Sequence, residues 1–289
     1  MNLNPKHPSV DAMTTIHPKF VLHQVNESDN LDLTFDSSVR FIRDEEKTVK
    51  QAVFPLKDGT NNKKLCGDKG EKIPSTIKGR WLNMPIFSLT LVERETCPTY
   101  CKFIRLCYGN DMMLAHRYQI TDEVLDLIEG QLQSLNRIHK FGFIVRLHVL
   151  GDFDTPKYAA FWNMCLTMYK RLHIWGYTAR LKFSPTDERY NFNDSQIFNI
   201  VEHMNENHSN RCLIRFSGYE DDPEKVNYRI ALGESEPLAQ ELLAKKKAIF
   251  CPYQVKHEKT GQRLTPSCSS CGLCWSNNLN KAIVWKEKK

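Results

Sequence analysis

Seven of the ten cysteines in this 289-residue chain stand at spacings that suit metal binding. Cys97, Cys101 and Cys107 form a Cys-x3-Cys-x5-Cys group, and Cys251 precedes the run Cys268-x2-Cys271-x2-Cys274. Free cysteine often serves as a small core hydrophobe, but CSSCGLCW sets three thiols among Ser and Gly. A zinc knuckle takes two thiols from such a run and two from elsewhere. A cubane cluster has separate iron corners and accepts repeated x2 spacing. The spacing therefore favours a [4Fe-4S] cluster, with zinc as the alternative. Cys251, followed by Pro252, is a candidate fourth ligand for this run, with closure of the first group as the other reading. The first group offers only three thiols. That leaves an open position, which in zinc chemistry means catalysis and in iron–sulfur chemistry an iron able to bind substrate or cofactor. Cys165 and Cys212 stand in apolar runs and are expected in the core, and Cys66, in a Gly-rich turn, is left unassigned.

The rest of the composition narrows the setting. Lys and Arg number 40 against 34 Asp and Glu, a net charge of +6 that does not by itself argue for nucleic acid. Hydrophobic residues at 41% and charged residues at 26% exclude a wholly disordered chain. No apolar run reaches the roughly 18 residues of a membrane helix, and the first residues, MNLNPKHPSV, lack the apolar stretch of a secretory signal. The expected compartment is the cytoplasm, where thiols stay reduced and clustered cysteines serve metal or redox chemistry.

These thiols need elements to hold them. Residues 1–83 read as an irregular extension, 84–250 as the core and 251–289 as a cysteine-rich metal-binding segment. In the core, PIFSLTLV reads as a strand before the first cysteine loop, and residues 111–137 as a helix through Leu114, Tyr118, Val124 and Ile128. FIVRLHVL is a strand followed by Gly151-Asp152-Phe153, and Thr155-Pro156 opens a helix to about Arg171. IWGYTAR, LKFS, LIRFS and AIFC read as further strands, with helices from Asp194 to about Asn207 and over 236–247. Five or six strands separated largely by helices imply a mostly parallel α/β sheet, open or curled into a barrel.

Strand alternation sorts the polar residues. Arg146 and His148 fall opposite Val145 and Leu147, and Arg215 opposite Ile214 and Phe216. A sheet buried on both faces reads as continuously apolar, so polar groups on one face predict a hydrated, ligand-holding concavity. Arg146, Thr178, Arg180 and Arg215 would face a cofactor or small anionic substrate there, since guanidinium binds carboxylate or phosphate in a fork. His148 is the candidate for proton transfer.

The order strand, three-cysteine loop, helix, strand, Gly-rich turn resembles radical SAM enzymes. That resemblance implies a partial (β/α) barrel of about six mostly parallel strands and a [4Fe-4S] cluster at Cys97, Cys101 and Cys107. It also implies S-adenosylmethionine on the open iron, with Gly151 and Asp152 in the turn that contacts its amine. The usual radical SAM spacing is Cys-x3-Cys-x2-Cys, whereas this chain has x3 then x5. More closely, Cys97-Pro98…Cys101…Cys107-Tyr108, Arg146-x-His148…Gly151-Asp152-Phe153 and Cys268-x2-Cys271-Gly272-Leu273-Cys274-Trp275 are similar to a phage family named after gene product eighty-eight. This resemblance covers roughly residues 84–276 and implies a metal-binding barrel of viral origin, hence a host cytoplasm.

Three functional readings follow from the residues. The first is an iron–sulfur enzyme with an auxiliary cluster at Cys251, Cys268, Cys271 and Cys274, supplied by an electron donor. The second is a zinc- or iron–sulfur-stabilised scaffold binding nucleic acid or a host protein through Lys245–Lys247 and aromatics such as Tyr100 and Trp275. The third is a redox protein passing electrons through its clusters.

Overall fold

The computed structural model describes residues 54–59, 62–66, 73–101, 103, 107–112, 115–182, 192–217, 230–276 and 281–286. Its frame is one eight-stranded sheet. The strands are β1 (Lys57–Asp58), β2 (Ile86–Ser88), β3 (Phe143–Leu147), β4 (Leu172–Thr178), β5 (Cys212–Ser217), β6 (Ile230–Gly233), β7 (Ala248–Phe250) and β8 (Ala282–Trp285). Their order is β1-β2-β3-β4-β5-β6-β8-β7, and every neighbouring pair is parallel except β1 with β2.

From β2 to β6 the chain advances one neighbour at a time. Helices α3 (Asp122–Ile138), α4 (Pro156–Met168) and α5 (Phe192–Asn207) form the crossovers between β2, β3, β4 and β5, and α6 (Pro237–Ala244) follows β6. Short turns α1 (Lys63–Cys66), α2 (Glu93–Thr96) and α7 (Cys268–Cys271) carry the parts nearest the thiols. Among the described residues, no helix is long and apolar enough to cross a membrane.

One sheet face makes the main core. Val145 and Leu147 of β3, Leu172 and Ile174 of β4, and Ile214 and Phe216 of β5 meet Ile128 and Leu132 of α3, Trp162 and Cys165 of α4, and Val201 of α5. Cys165 and Cys212 are buried there, as their apolar surroundings predicted. The helices begin where capping chemistry allows. Thr121 accepts a hydrogen bond from the Val124 amide at 3.3 Å, and Thr155 from the Tyr158 amide at 3.2 Å, with Pro156 in the first turn.

The expected barrel of about six strands is corrected in two respects. The sheet has eight strands, and it is not closed on itself. The extra strands are short: β1 has two residues and β6 four, lengths at which alternation carries little signal. β8 comes from the cysteine-rich tail and inserts between β6 and β7, so AIFC is not the last strand. The helix expected over 111–137 starts only at Asp122. Tyr118 instead forms a parallel bridge to Leu91, and the Thr121 cap with Asp122 and Glu123 sets the true start. LKFS forms no strand at Leu181 and Lys182, and the remainder of it, like Leu114, lies outside the described residues.

Candidate metal centres

The first thiol group sits at the carboxyl ends of β2, β3 and β4, the end at which parallel sheets present their ligands. After β2 the chain turns through α2, and the Cys97 amide donates to Glu93 O at 3.0 Å. Arg117 fastens the far side of the loop: its Nε lies 2.8 Å from Glu93 Oε2, and its Nη2 donates to Gly109 O at 3.2 Å. Both partners of this ion pair are 11% exposed.

Behind the loop lies a buried polar network built from the Gly-Asp-Phe turn. Gly151 has φ +85, and a Cβ there would lie 2.6 Å from Leu91 Cβ and 2.7 Å from Thr96 Oγ1. Only glycine lets the turn approach the cysteine loop this closely. The Asp152 amide donates to Thr96 Oγ1 at 3.1 Å, while its carboxylate accepts from the amides of Phe153 at 2.7 Å and Ala179 at 2.6 Å. Arg180 spans three elements. It donates to Phe153 O and Thr96 O, each at 2.7 Å, and pairs with the Asp194 carboxylate in the first turn of α5. The Tyr100 hydroxyl donates to the other Asp194 oxygen at 3.0 Å.

Electrostatics here oppose ionised thiols. Burial raises the Cys97 thiol well above its usual range, and the charges of Asp152, Cys101 and Cys107 push it further. Burial likewise lifts Cys101 to about 11. Asp152 is itself raised by burial, opposed by Arg180 and by hydrogen bonds from Ala179, Thr178 and Phe153. A group of thiols that repel one another's ionisation beside a carboxylate has the donor chemistry to take up a cationic centre.

The second group is assembled on the other face of the sheet. α7 is held by a capping box: Ser267 Oγ accepts from the Ser270 amide, and Ser270 Oγ accepts from the Ser267 amide, each at 3.2 Å. Gly272, at φ +73, reverses the chain, and a 3₁₀ turn over Leu273–Trp275 brings Cys274 back towards Cys271. Cys251, Cys268, Cys271 and Cys274 line one small pocket, walled by Tyr253 and Trp285 among others.

Aromatic packing seats this segment. Trp275 stacks on Trp81 with centroids 6.1 Å apart and planes 5° apart, and its ring lies 5.0 Å from Trp175. Arg215 donates from Nε to Cys274 O at 3.0 Å and from Nη2 to Leu273 O at 3.3 Å. Burial raises Cys268 to about 12, with Lys64 and Arg146 pulling it down and Cys274 and Cys251 pushing it up.

A family model described as Gene product 88 matches residues 54–277. The chain belongs to that family. The match begins at residue 54, not near 84, so it takes in β1 and α1, and it runs through all seven metal-spaced cysteines. No curated protein and no solved structure matches the chain.

Among the described residues, no three His, Cys, Asp or Glu side chains are arranged to hold a metal ion as they stand. A single zinc at about 2.3 Å from each sulfur would need the thiols within roughly 4 Å of one another. The second pocket brings four thiols of this chain to one lining, which is the donor set a metal group would need.

The polar residues expected to face one ligand are divided among three places. Gly151, Asp152, Thr178 and Arg180 do lie beside the first centre, but they satisfy one another there. Arg215 holds the cysteine-rich tail, and the Arg146 guanidinium stacks 5.2 Å from the Trp175 ring. The predicted hydrated concavity is therefore filled: Leu65, Trp81, Cys268 and Trp275 pack on that face of the sheet.

His148 is on the opposite side from Arg146. β3 ends at Leu147, so alternation stops one residue short, and the imidazole packs against Phe153 and Tyr158 with Nε2 2.9 Å from the Tyr158 hydroxyl. Burial lowers its pKa to about 3, which keeps it neutral. Trp275 is 3% exposed and offers no free face for stacking a base. Sequence reasoning missed Thr96, Glu93, Arg117, Asp194 and Lys64. An Asp at the start of a helix reads as a cap, and nothing in spacing shows that Asp194 turns to Arg180 instead.

Proposed function

We propose that this chain is an iron–sulfur protein with two centres: an open one at Cys97, Cys101 and Cys107, and a closed one at Cys251, Cys268, Cys271 and Cys274. The observation that carries the reading is the second pocket. Four thiols from two stretches of chain line one small space, and the repeated x2 spacing of three of them suits a group with separate corners better than a single ion. When bound, such a cluster supplies one-electron chemistry, and an open iron corner adds a site for an organic ligand.

The open centre supports an enzymatic reading of the radical SAM-like kind, because it lies at the ligand-binding end of the sheet. In that reading the substrate or S-adenosylmethionine approaches the three-thiol loop and an electron donor serves as partner. Asp152, Thr178 and Arg180 hold the loop in place, since their polar atoms are engaged with Ala179, Phe153, Thr96 and Asp194. His148, neutral and packed among rings, orients Tyr158 and gives little support to a proton-transfer role.

The test is anaerobic purification of the full chain, followed by iron, sulfide and zinc analysis and a visible spectrum. Iron with matching sulfide and a broad charge-transfer band is expected, each of Cys101→Ala and Cys271→Ala losing about half of the iron. Stoichiometric zinc without iron would overturn the reading and leave the zinc-stabilised scaffold. Electron paramagnetic resonance of the reduced protein with and without S-adenosylmethionine then tests the enzymatic part, which requires the added ligand to change the signal of the centre lost in Cys101→Ala.

A further inference from the structure

We propose that the closed four-thiol centre is a redox-active site whose potential is raised by Lys64, a cation carried in by α1 from outside the cysteine-rich segment. This rests on the iron–sulfur reading above and assigns a role to residues 62–66, which nothing in the cysteine spacing connects to a metal.

The position of Lys64 is fixed. Asn62 Oδ1 accepts from the Lys64 amide at 3.1 Å, and the adjoining Leu65 is fully buried beside Trp81, Cys268 and Trp275. From there the Lys64 Nζ lies 3.9 Å from the centroid of the Trp285 ring and 5.9 Å from that of Tyr253. Both rings are walls of the thiol pocket. A cation over the rings that wall the pocket is held at short range from whatever the thiols bind. The strongest influences on Lys64, after the burial that lowers its pKa, are Cys268, Arg146, Cys251 and Cys274. Three of these four are thiols of the pocket. The Tyr177 ring lies 5.4 Å from that of Trp285, and its hydroxyl sits by Cys274.

Reduction of a four-thiolate cluster adds one electron, and so one negative charge, without changing its ligands. In a low-dielectric pocket a fixed cation and a hydroxyl beside a ligand sulfur favour the reduced form. A purely structural centre has no use for that bias. The first centre has a mixed setting, with both the Asp152 carboxylate and the Arg180 guanidinium near Cys97.

The test is a reductive titration of the anaerobically purified full chain with dithionite and mediators. It compares wild type, Lys64→Met, Lys64→Arg and Tyr177→Phe, and follows the couple that Cys271→Ala abolishes. Lys64→Met keeps an apolar stem on Trp285 and removes the charge. Its ratio of reduced to oxidised cluster at the wild-type midpoint should fall at least ten-fold, a shift of about 59 mV for one electron. Iron and sulfide should stay constant, and Lys64→Arg should return the potential to near the wild-type value. An unchanged midpoint in Lys64→Met with its cluster intact would overturn the proposal. Should Lys64→Met lose the cluster, Tyr177→Phe decides: a smaller negative shift supports redox tuning, and none overturns it. A wild-type chain without iron and sulfide removes the parent reading as well, an outcome distinct from an iron-loaded chain with an insensitive couple.

Discussion

The two thiol groups are built by opposite means. The loop of Cys97, Cys101 and Cys107 is held by ions and hydrogen bonds: Arg117 with Glu93 in front, Arg180 with Asp194 behind, and Asp152 bonded to two backbone amides. The pocket of Cys251, Cys268, Cys271 and Cys274 is held by rings, with Trp81, Trp275 and Trp175 against the sheet and Arg215 on the outgoing carbonyls. Directional polar contacts fix a loop at the carboxyl ends of the strands, whereas a stacked aromatic cluster seats the four-thiol pocket against a face of the sheet. Under the proposed reading the three-thiol loop is the open centre and the four-thiol pocket the closed one.

The largest effects should come from the two arginines that hold these regions. Arg180→Met leaves Asp194 buried without its ion partner and frees Thr96 O and Phe153 O, a loss of about 3–5 kcal/mol. Arg215→Met removes charge-assisted bonds to Cys274 O and Leu273 O, and should cost about 1.5–3 kcal/mol. Urea unfolding measures both, and metal content shows whether each variant loses its own centre alone. Loss of both centres in Arg180→Met would break the separation.

A smaller effect is expected at the closest approach within the open centre. Gly151→Ala must keep φ near +85 and displace Leu91 or Thr96. The cost should be about 1–3 kcal/mol, read as a lower denaturation midpoint, with the visible band of the closed centre unaltered. A variant as stable as wild type would show that the turn does not clamp the loop.

The smallest effect is in pH. In the metal-free chain the folded pKa of Cys268 is about 12 and that of Cys101 about 11, both above the unfolded thiol value of about 8.5. Below that value the unfolded and folded states bind the same protons, so these groups cost nothing. Above it the unfolded chain releases protons first, and stability is lost progressively as pH rises towards the folded values. The urea midpoint of the apo chain should therefore fall between about pH 9 and 12. Cys268→Ala should remove more of that fall than Cys101→Ala, and an equal effect would argue that the two regions are not differently buried.

Much of the fold was legible where periodicity was long. FIVRL, LIRFS and the helix that follows Thr155 lie where their patterns put them, and Cys165 and Cys212 are in the core. The helix after Thr121 ends as expected but starts some eleven residues later than its pattern, at 122 against 111. Short strands escaped notice, because two or four residues cannot display a period, and β8 was hidden in the cysteine-rich tail. Grouping the seven cysteines into two sets needed only spacing. Grouping Arg146, His148, Thr178, Arg180 and Arg215 around one ligand did not survive, since face assignment by alternation ends where the strand ends. For His148 that is a single residue past Leu147.

By itself the sequence determined which thiols stand near one another and the local turns that hold them. Cysteine spacing, the Ser267–Ser270 capping box and the left-handed Gly272 are properties of a few neighbouring residues. Tertiary structure alone decided which groups surround those donors. Lys64 and Cys268, or Thr96 and Arg180, are far apart along the chain and meet only because the sheet and its two faces bring them together. Charge and burial act through space, so the character of each centre had to wait for the fold.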